Sequence, residues 1–102
     1  MKILLCCSAG MSTSMLVQKM EKAAMQRGMK CHIEALPVSA FEDVVKDYDV
    51  CLLGPQVRFQ LAELQKTASL YGKRIEAISP TAYGLMKGEE VLDQALSLMP
   101  EQ

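Results

Sequence analysis

Two short runs, ILLC at positions 3–6 and VCLL at positions 50–53, are apolar at every residue. A strand with one face in water alternates apolar and polar side chains, whereas a strand covered on both faces does not. These runs therefore predict the central strands of a parallel sheet sandwiched between helices. Two other segments, CHIEAL at 31–36 and RIEAI at 74–78, alternate as edge strands do. Strands are expected over 2–6, 30–36, 49–53 and 74–78, with helical patterns after each. That alternation over 102 residues predicts one α/β domain, residues 1–102, with right-handed crossovers. Its shape is a three-layer α/β/α sandwich around a four-stranded parallel sheet. Putting the apolar strands in the middle gives the order 2-1-3-4, a flavodoxin-like arrangement.

The helices follow from spacing. Leu16, Met20, Ala23 and Ala24 form an i, i+4, i+7, i+8 stripe, predicting a helix over 12–27 that stops at Gly28. Ser39 with Glu42 three residues on reads as a capping box opening a short second helix through Val44 and Val45. A third begins after Gly54-Pro55 and buries Val57, Leu61, Leu64 and Ala68. The last starts with Glu89 and Glu90, which suit the positive end of a helix, and buries Val91, Leu92, Ala95, Leu96 and Met99.

Composition narrows the function. The net charge is −1, and the 11 lysines and arginines form no stripe of the kind that grips a nucleic-acid backbone. No apolar run approaches the ~20 residues that span a bilayer, so no membrane insertion is expected. MKILLCC is too short for a secretory signal and ends in a Gly/Ser loop. The four cysteines, 6, 7, 31 and 51, make neither a disulfide framework nor a paired CxxC metal set. Cys6, Cys31 and Cys51 each fall in a strand-like segment and read as small core hydrophobes. A reducing compartment is expected, hence the cytoplasm, with no metal and no cofactor.

Cys7 differs from the other three. It stands where the first strand gives way to Ser8-Ala9-Gly10-Met11-Ser12-Thr13-Ser14, just ahead of a helix. Backbone N–H groups of such a turn, with the positive end of the helix, bind anions and favour thiolate over thiol. Ser8, Ser12, Thr13 and Ser14 add hydroxyl donors, and Gly10 allows close approach of a phosphate. In sheets of this order, ligands bind beyond the carboxyl ends of the strands at the switch point between strands 1 and 3. The loops facing that crevice are 7–14 and Gly54-Pro55-Gln56. A sulfur that serves there must be reachable from outside.

No Lys or Arg lies between Lys2 and Lys19. A Cys-x5-Arg phosphatase loop would carry its arginine at position 13, where this chain has Thr13. Without a bidentate guanidinium, charge on transferring phosphoryl oxygens is held less firmly. No Asp in the later loops is evidently placed to protonate a leaving alcohol. The site is thus suited to accepting and passing on a phosphoryl group rather than to hydrolysing esters.

CCSAGMSTSMLVQKM (6–20), DVCLLGPQV (49–57) and Ala82-Tyr83-Gly84 together resemble the enzyme IIB component of the bacterial sugar phosphotransferase system, lactose/cellobiose/chitobiose type. The resemblance runs over nearly the whole chain. It implies a fold with a loop of the low-molecular-weight-phosphatase kind. It also implies that Cys7 takes a phosphoryl group from a phosphohistidine on the IIA protein. The group then passes to a sugar, such as cellobiose, chitobiose or lactose, during import through the membrane permease IIC. A monomer is expected. Two other readings stay open: a phosphatase-like hydrolase, and a non-enzymatic module that senses phosphate.

The remaining residues divide as follows. Cys6, one step earlier on a strand, should point to the opposite face and pack in the core. His32, the sole histidine, reads as a partly exposed structural residue on an edge strand. Pro55 and Gln56 could be first-turn helix residues or contacts of the phosphate site or a partner, and Tyr83 could pack or act. Met11 and Phe59 read as exposed apolar residues near the site that help dock IIA and IIC, with plain packing as the alternative for Phe59.

Overall fold

The structure, a computed structural model, describes residues 1–8 and 11–99, with Met11 and Ser12 described in their backbone alone. Among these residues the order is β1 (Lys2–Cys7), α1 (Met11–Gln26), β2 (His32–Pro37), α2 (Phe41–Val44), β3 (Val50–Leu53), α3 (Leu61–Leu70), β4 (Arg74–Ala77), α4 (Pro80–Gly84) and α5 (Gly88–Ser97). The four strands form one sheet in the order β2-β1-β3-β4. Every neighbouring pair is parallel. The two continuously apolar strands are the central ones, as their sequence requires.

Side-chain alternation splits the core into two layers. Ile3, Leu5, Val50 and Leu52 face α1 and α5, where they meet Leu16, Met20, Val91, Leu92 and Ala95. Leu4, Cys6, Cys51 and Leu53 face the other way, onto Phe41, Val45, Leu64 and Ala68. Leu16 and Met20 are wholly buried. Each such side chain contributes about 1.5–3 kcal/mol over its exposed state, which is what seats α1 on the sheet. The helix ends at Gly28, whose φ of +71° is left-handed. Its N–H donates to the Met25 carbonyl at 3.0 Å, and that of Met29 to Ala24 at 2.9 Å, closing the last turn.

Four expectations are corrected. Ser39 caps no helix: it lies inside a 3₁₀ turn over Val38–Ala40, and α2 starts only at Phe41. Phe41, fully buried, fixes this segment by packing rather than by a cap. Cys31 precedes β2 and is half-buried. The third helical segment is split, with 3₁₀ geometry over Pro55–Gln60 before α3, because Val57 leaves helical dihedrals at φ −118°. Leu96 in α5 and Met99 beyond its end are half-buried, and Leu98, just past the helix, takes the buried place beyond Ala95.

One helix was not anticipated. In α4, Pro80 sits in the first turn, and the Ser79 side chain at its N-cap accepts from the Ala82 N–H. This short helix brings Ala82 and Tyr83 into the α1 side of the core.

Candidate functional site

Cys7 is the last residue of β1 and pairs with Pro37 of β2 at the carboxyl edge of the sheet. Its position is the one expected: a central strand, with β3 on one side and β2 on the other. Cys6 and Cys7 separate cleanly. Cys6 is fully buried in the α2/α3 layer. Burial, with smaller contributions from Cys51 and Cys7, pushes its thiol up to about 12, and burial does the same to Cys51. Neither can supply a thiolate at neutral pH.

Helix α1 opens at Met11, four residues after Cys7, and carries no acidic residue in its first turn. Its first N–H groups have no intrahelical acceptors, and three residues separate them in sequence from the end of β1. Ser8 and Ser14 are exposed. Ala9, Gly10 and the side chains of Met11 and Ser12 lie outside the described residues.

The second wall is Gly54-Pro55-Gln56. The Gly54 N–H donates to the Cys6 carbonyl at 2.8 Å, which ties the end of β3 to β1. Gly54 is buried against Cys7: a β-carbon placed on it would stand 3.5 Å from the Cys7 Cβ. The same β-carbon would stand 2.8 Å from Gln56 Oε1, so the Gln56 amide folds back over this glycine. Gln56 is thus brought to the Cys7 end of the crevice, while Pro55 sets the turn that sends it there.

The third neighbour was missed as a partner. The Thr13 and Tyr83 hydroxyls are 2.8 Å apart, and both residues are buried. Thr13, in the segment expected to hold phosphate, and Tyr83, after β4, are joined across 70 residues of sequence. No periodicity or local motif reports a contact of that separation. His32 lies on β2 with its ring exposed, 3.4 Å from Glu34 Oε2.

Taken as a whole residue, Cys7 is only 3% exposed. The accessibility expected for a group that meets other proteins is therefore not a property of this state of the chain. Phe59, by contrast, is 78% exposed, and Met15 and Leu85 are exposed on the segments that follow β1 and β4. No helix among the described residues is long and apolar enough to cross a membrane.

Residues 2–94 match the family model described as the PTS system, Lactose/Cellobiose specific IIB subunit. The chain belongs to that family. It is 44% identical to the PTS system oligo-beta-mannoside-specific EIIB component of Bacillus subtilis, over 99% of this chain and 98% of that one. Identity to the galactose-specific EIIB component of Lactococcus lactis is 41%, covering 95% of this chain and 94% of that one. The solution structure of the cellobiose-specific IIB component of Borrelia burgdorferi superposes with a TM-score of 0.81. That comparison covers 97% of this IIB subunit and 91% of the other, at 44% identity. The chain is a sugar phosphotransferase-system component with the transferase role of its family, and the fold it shares with those IIB domains is the one the strand pattern predicts.

Proposed function

We propose that this IIB subunit carries a phosphoryl group on Cys7 between two other components of its transport system. What supports the reading most is the place of Cys7: a strand-end thiol at the switch point, four residues before the start of α1 and without a cation between positions 2 and 19. In the first step the Cys7 sulfur attacks the phosphorus of a phosphohistidine on IIA. The S–P bond forms as the P–N bond breaks, and the imidazole departs with the bonding electron pair. In the second step a sugar hydroxyl held by IIC attacks the same phosphorus. The O–P bond forms, the S–P bond breaks, and the hydroxyl proton leaves to water or a base of the acceptor site.

The loop over Ser8–Ser14 cradles the phosphoryl oxygens through its amides, and Pro55 and Gln56 contribute from across the crevice. Position 13 supports transfer over hydrolysis, since a buried threonine bonded to Tyr83 stands where a phosphatase loop has its arginine. Because Cys7 is nearly closed off, docking of IIA or IIC must open a path to it. The exposed Phe59, Met15 and Leu85 are apolar surface for those transient contacts. The whole chain acts as one monomeric cytoplasmic domain, and its sugar is a β-linked disaccharide chosen by IIC.

The test is incubation with IIA phosphorylated through the upstream phosphoenolpyruvate-dependent proteins. The native chain and Cys6→Ser should take up label with the acid and base stability of a phosphothiol, and Cys7→Ser should take up none. Steady hydrolysis of an aryl phosphate by the isolated chain would instead favour the phosphatase reading.

A further inference from the structure

We propose that Tyr83 is a positioning residue for phosphoryl transfer, holding the first turn of α1 in register with Cys7 through its hydroxyl contact with Thr13. This rests on Cys7 being the phosphoryl carrier.

Thr13 is the third residue of α1, within the turn whose unsatisfied N–H groups would receive the phosphoryl oxygens. The residue is 1% exposed, and its hydroxyl lies 2.8 Å from that of Tyr83. A buried hydroxyl pair at that distance is directional, so it fixes where the turn sits as well as holding it down.

Tyr83 is itself referenced to the site's other wall. Its N–H donates to the Ser79 carbonyl at 2.9 Å, and one residue before Ser79 the Ile78 N–H donates to the Leu53 carbonyl at 2.8 Å. Leu53 precedes Gly54, which is bonded to Cys6 and packed on Cys7. The phenol hydroxyl is therefore fixed to the same strand end that carries Gly54. Through Thr13 it transmits that position to the amides of α1.

Chemistry gives the pair a second reason to exist. Either hydroxyl can donate to the other, and each has a second position from which to make a further hydrogen bond. With no guanidinium in the loop, placement of the amides carries more of the stabilisation of phosphoryl charge, and their misplacement is felt in rate.

The experiment compares the intact chain with Tyr83→Phe, Thr13→Val, Thr13→Ser and the double variant Thr13→Val/Tyr83→Phe, using phosphorylated IIA as donor. Tyr83→Phe keeps the ring's packing and should slow phosphoryl uptake about ten-fold, the weight of one well-placed buried hydrogen bond. It should also shorten the lifetime of the phosphocysteine and shift its 31P resonance, which a purely structural contact would leave unmoved. Thr13→Val should reproduce these changes and Thr13→Ser restore the native behaviour. The double variant should be no worse than either single one. Should Tyr83→Phe fail to fold, Thr13→Val against Thr13→Ser makes the same comparison. Native uptake rate, lifetime and 31P shift in Tyr83→Phe would overturn the proposal while leaving the carrier reading intact. Failure of the unaltered chain to accept the group would end both.

Discussion

Cys6 and Cys7 are adjacent in sequence yet belong to different environments: Cys6 is sealed in the α2/α3 layer, and Cys7 ends its strand beside Gly54. With Cys6 and Cys51 raised to about 12 and both fully buried, neither should react with iodoacetamide in the native chain at neutral pH. Label should appear at Cys7 and the half-buried Cys31. Because Cys7 is only 3% exposed, a bulky thiol reagent should modify it far more slowly than iodoacetamide does. Peptide mapping after a time course checks the order, and labelling of Cys6 as fast as Cys7 would contradict it.

The same two buried thiols set an alkaline limit on stability. Their folded values lie above the ordinary 9, so the stabilisation they carry is complete below that pH and is lost as pH rises towards 12. Each proton retained only by the folded chain makes stability fall with rising pH, so the two thiols together steepen the fall above pH 9. Tyr48, raised to about 12 by burial and by its hydrogen bond to Glu34, steepens the fall above about pH 10. Urea unfolding at a series of pH values measures this, and Cys51→Ala should remove about one thiol's share of the slope.

Gly88 opens α5 directly against α1. A β-carbon there would stand 2.5 Å from the Lys19 carbonyl carbon and 2.6 Å from its oxygen, and backbone cannot swing aside as a side chain can. Gly88→Ala should therefore cost about 1–3 kcal/mol through overpacking, read as a lower urea midpoint. Since the displaced helix is α1, phosphoryl uptake should fall as well.

Gly54→Ala should separate stability from function. Gly54 has an ordinary φ of −60°, and the added methyl would meet Cys7 only at normal contact distance. It would meet Gln56 Oε1 at 2.8 Å, and that flexible amide can move away. The expected result is a change in stability below about 1 kcal/mol with a clear loss of phosphoryl uptake. Gln56→Ala should give the same loss, and native uptake in both variants would remove Gln56 from the site.

Sheet order and the seat of Cys7 were legible because strands covered on both faces must be apolar throughout, and because a thiol before a Gly/Ser turn and a helix has few structural uses. The α1 stripe and the Gly28 stop were legible for the same local reasons. Ser39 misled because a capping-box pattern is only a local preference, and burial of Phe41 decided where α2 begins. The helix α4 is five residues long, too short to show a period, although Ser79-Pro80 marks its start in hindsight. The Thr13–Tyr83 contact was invisible because it depends on packing between segments 70 residues apart. The near closure of Cys7 likewise depends on how neighbouring segments cover it.

The most direct measurement is localisation of the phosphoryl group by fragmentation mass spectrometry after brief exposure to phosphorylated IIA, with a chase into sugar using membranes that contain IIC. The group should be found on the sulfur of Cys7 and should leave to sugar when membranes are added. Recovery on His32, or on no residue of an intact and folded chain, would contradict a phosphocysteine carrier.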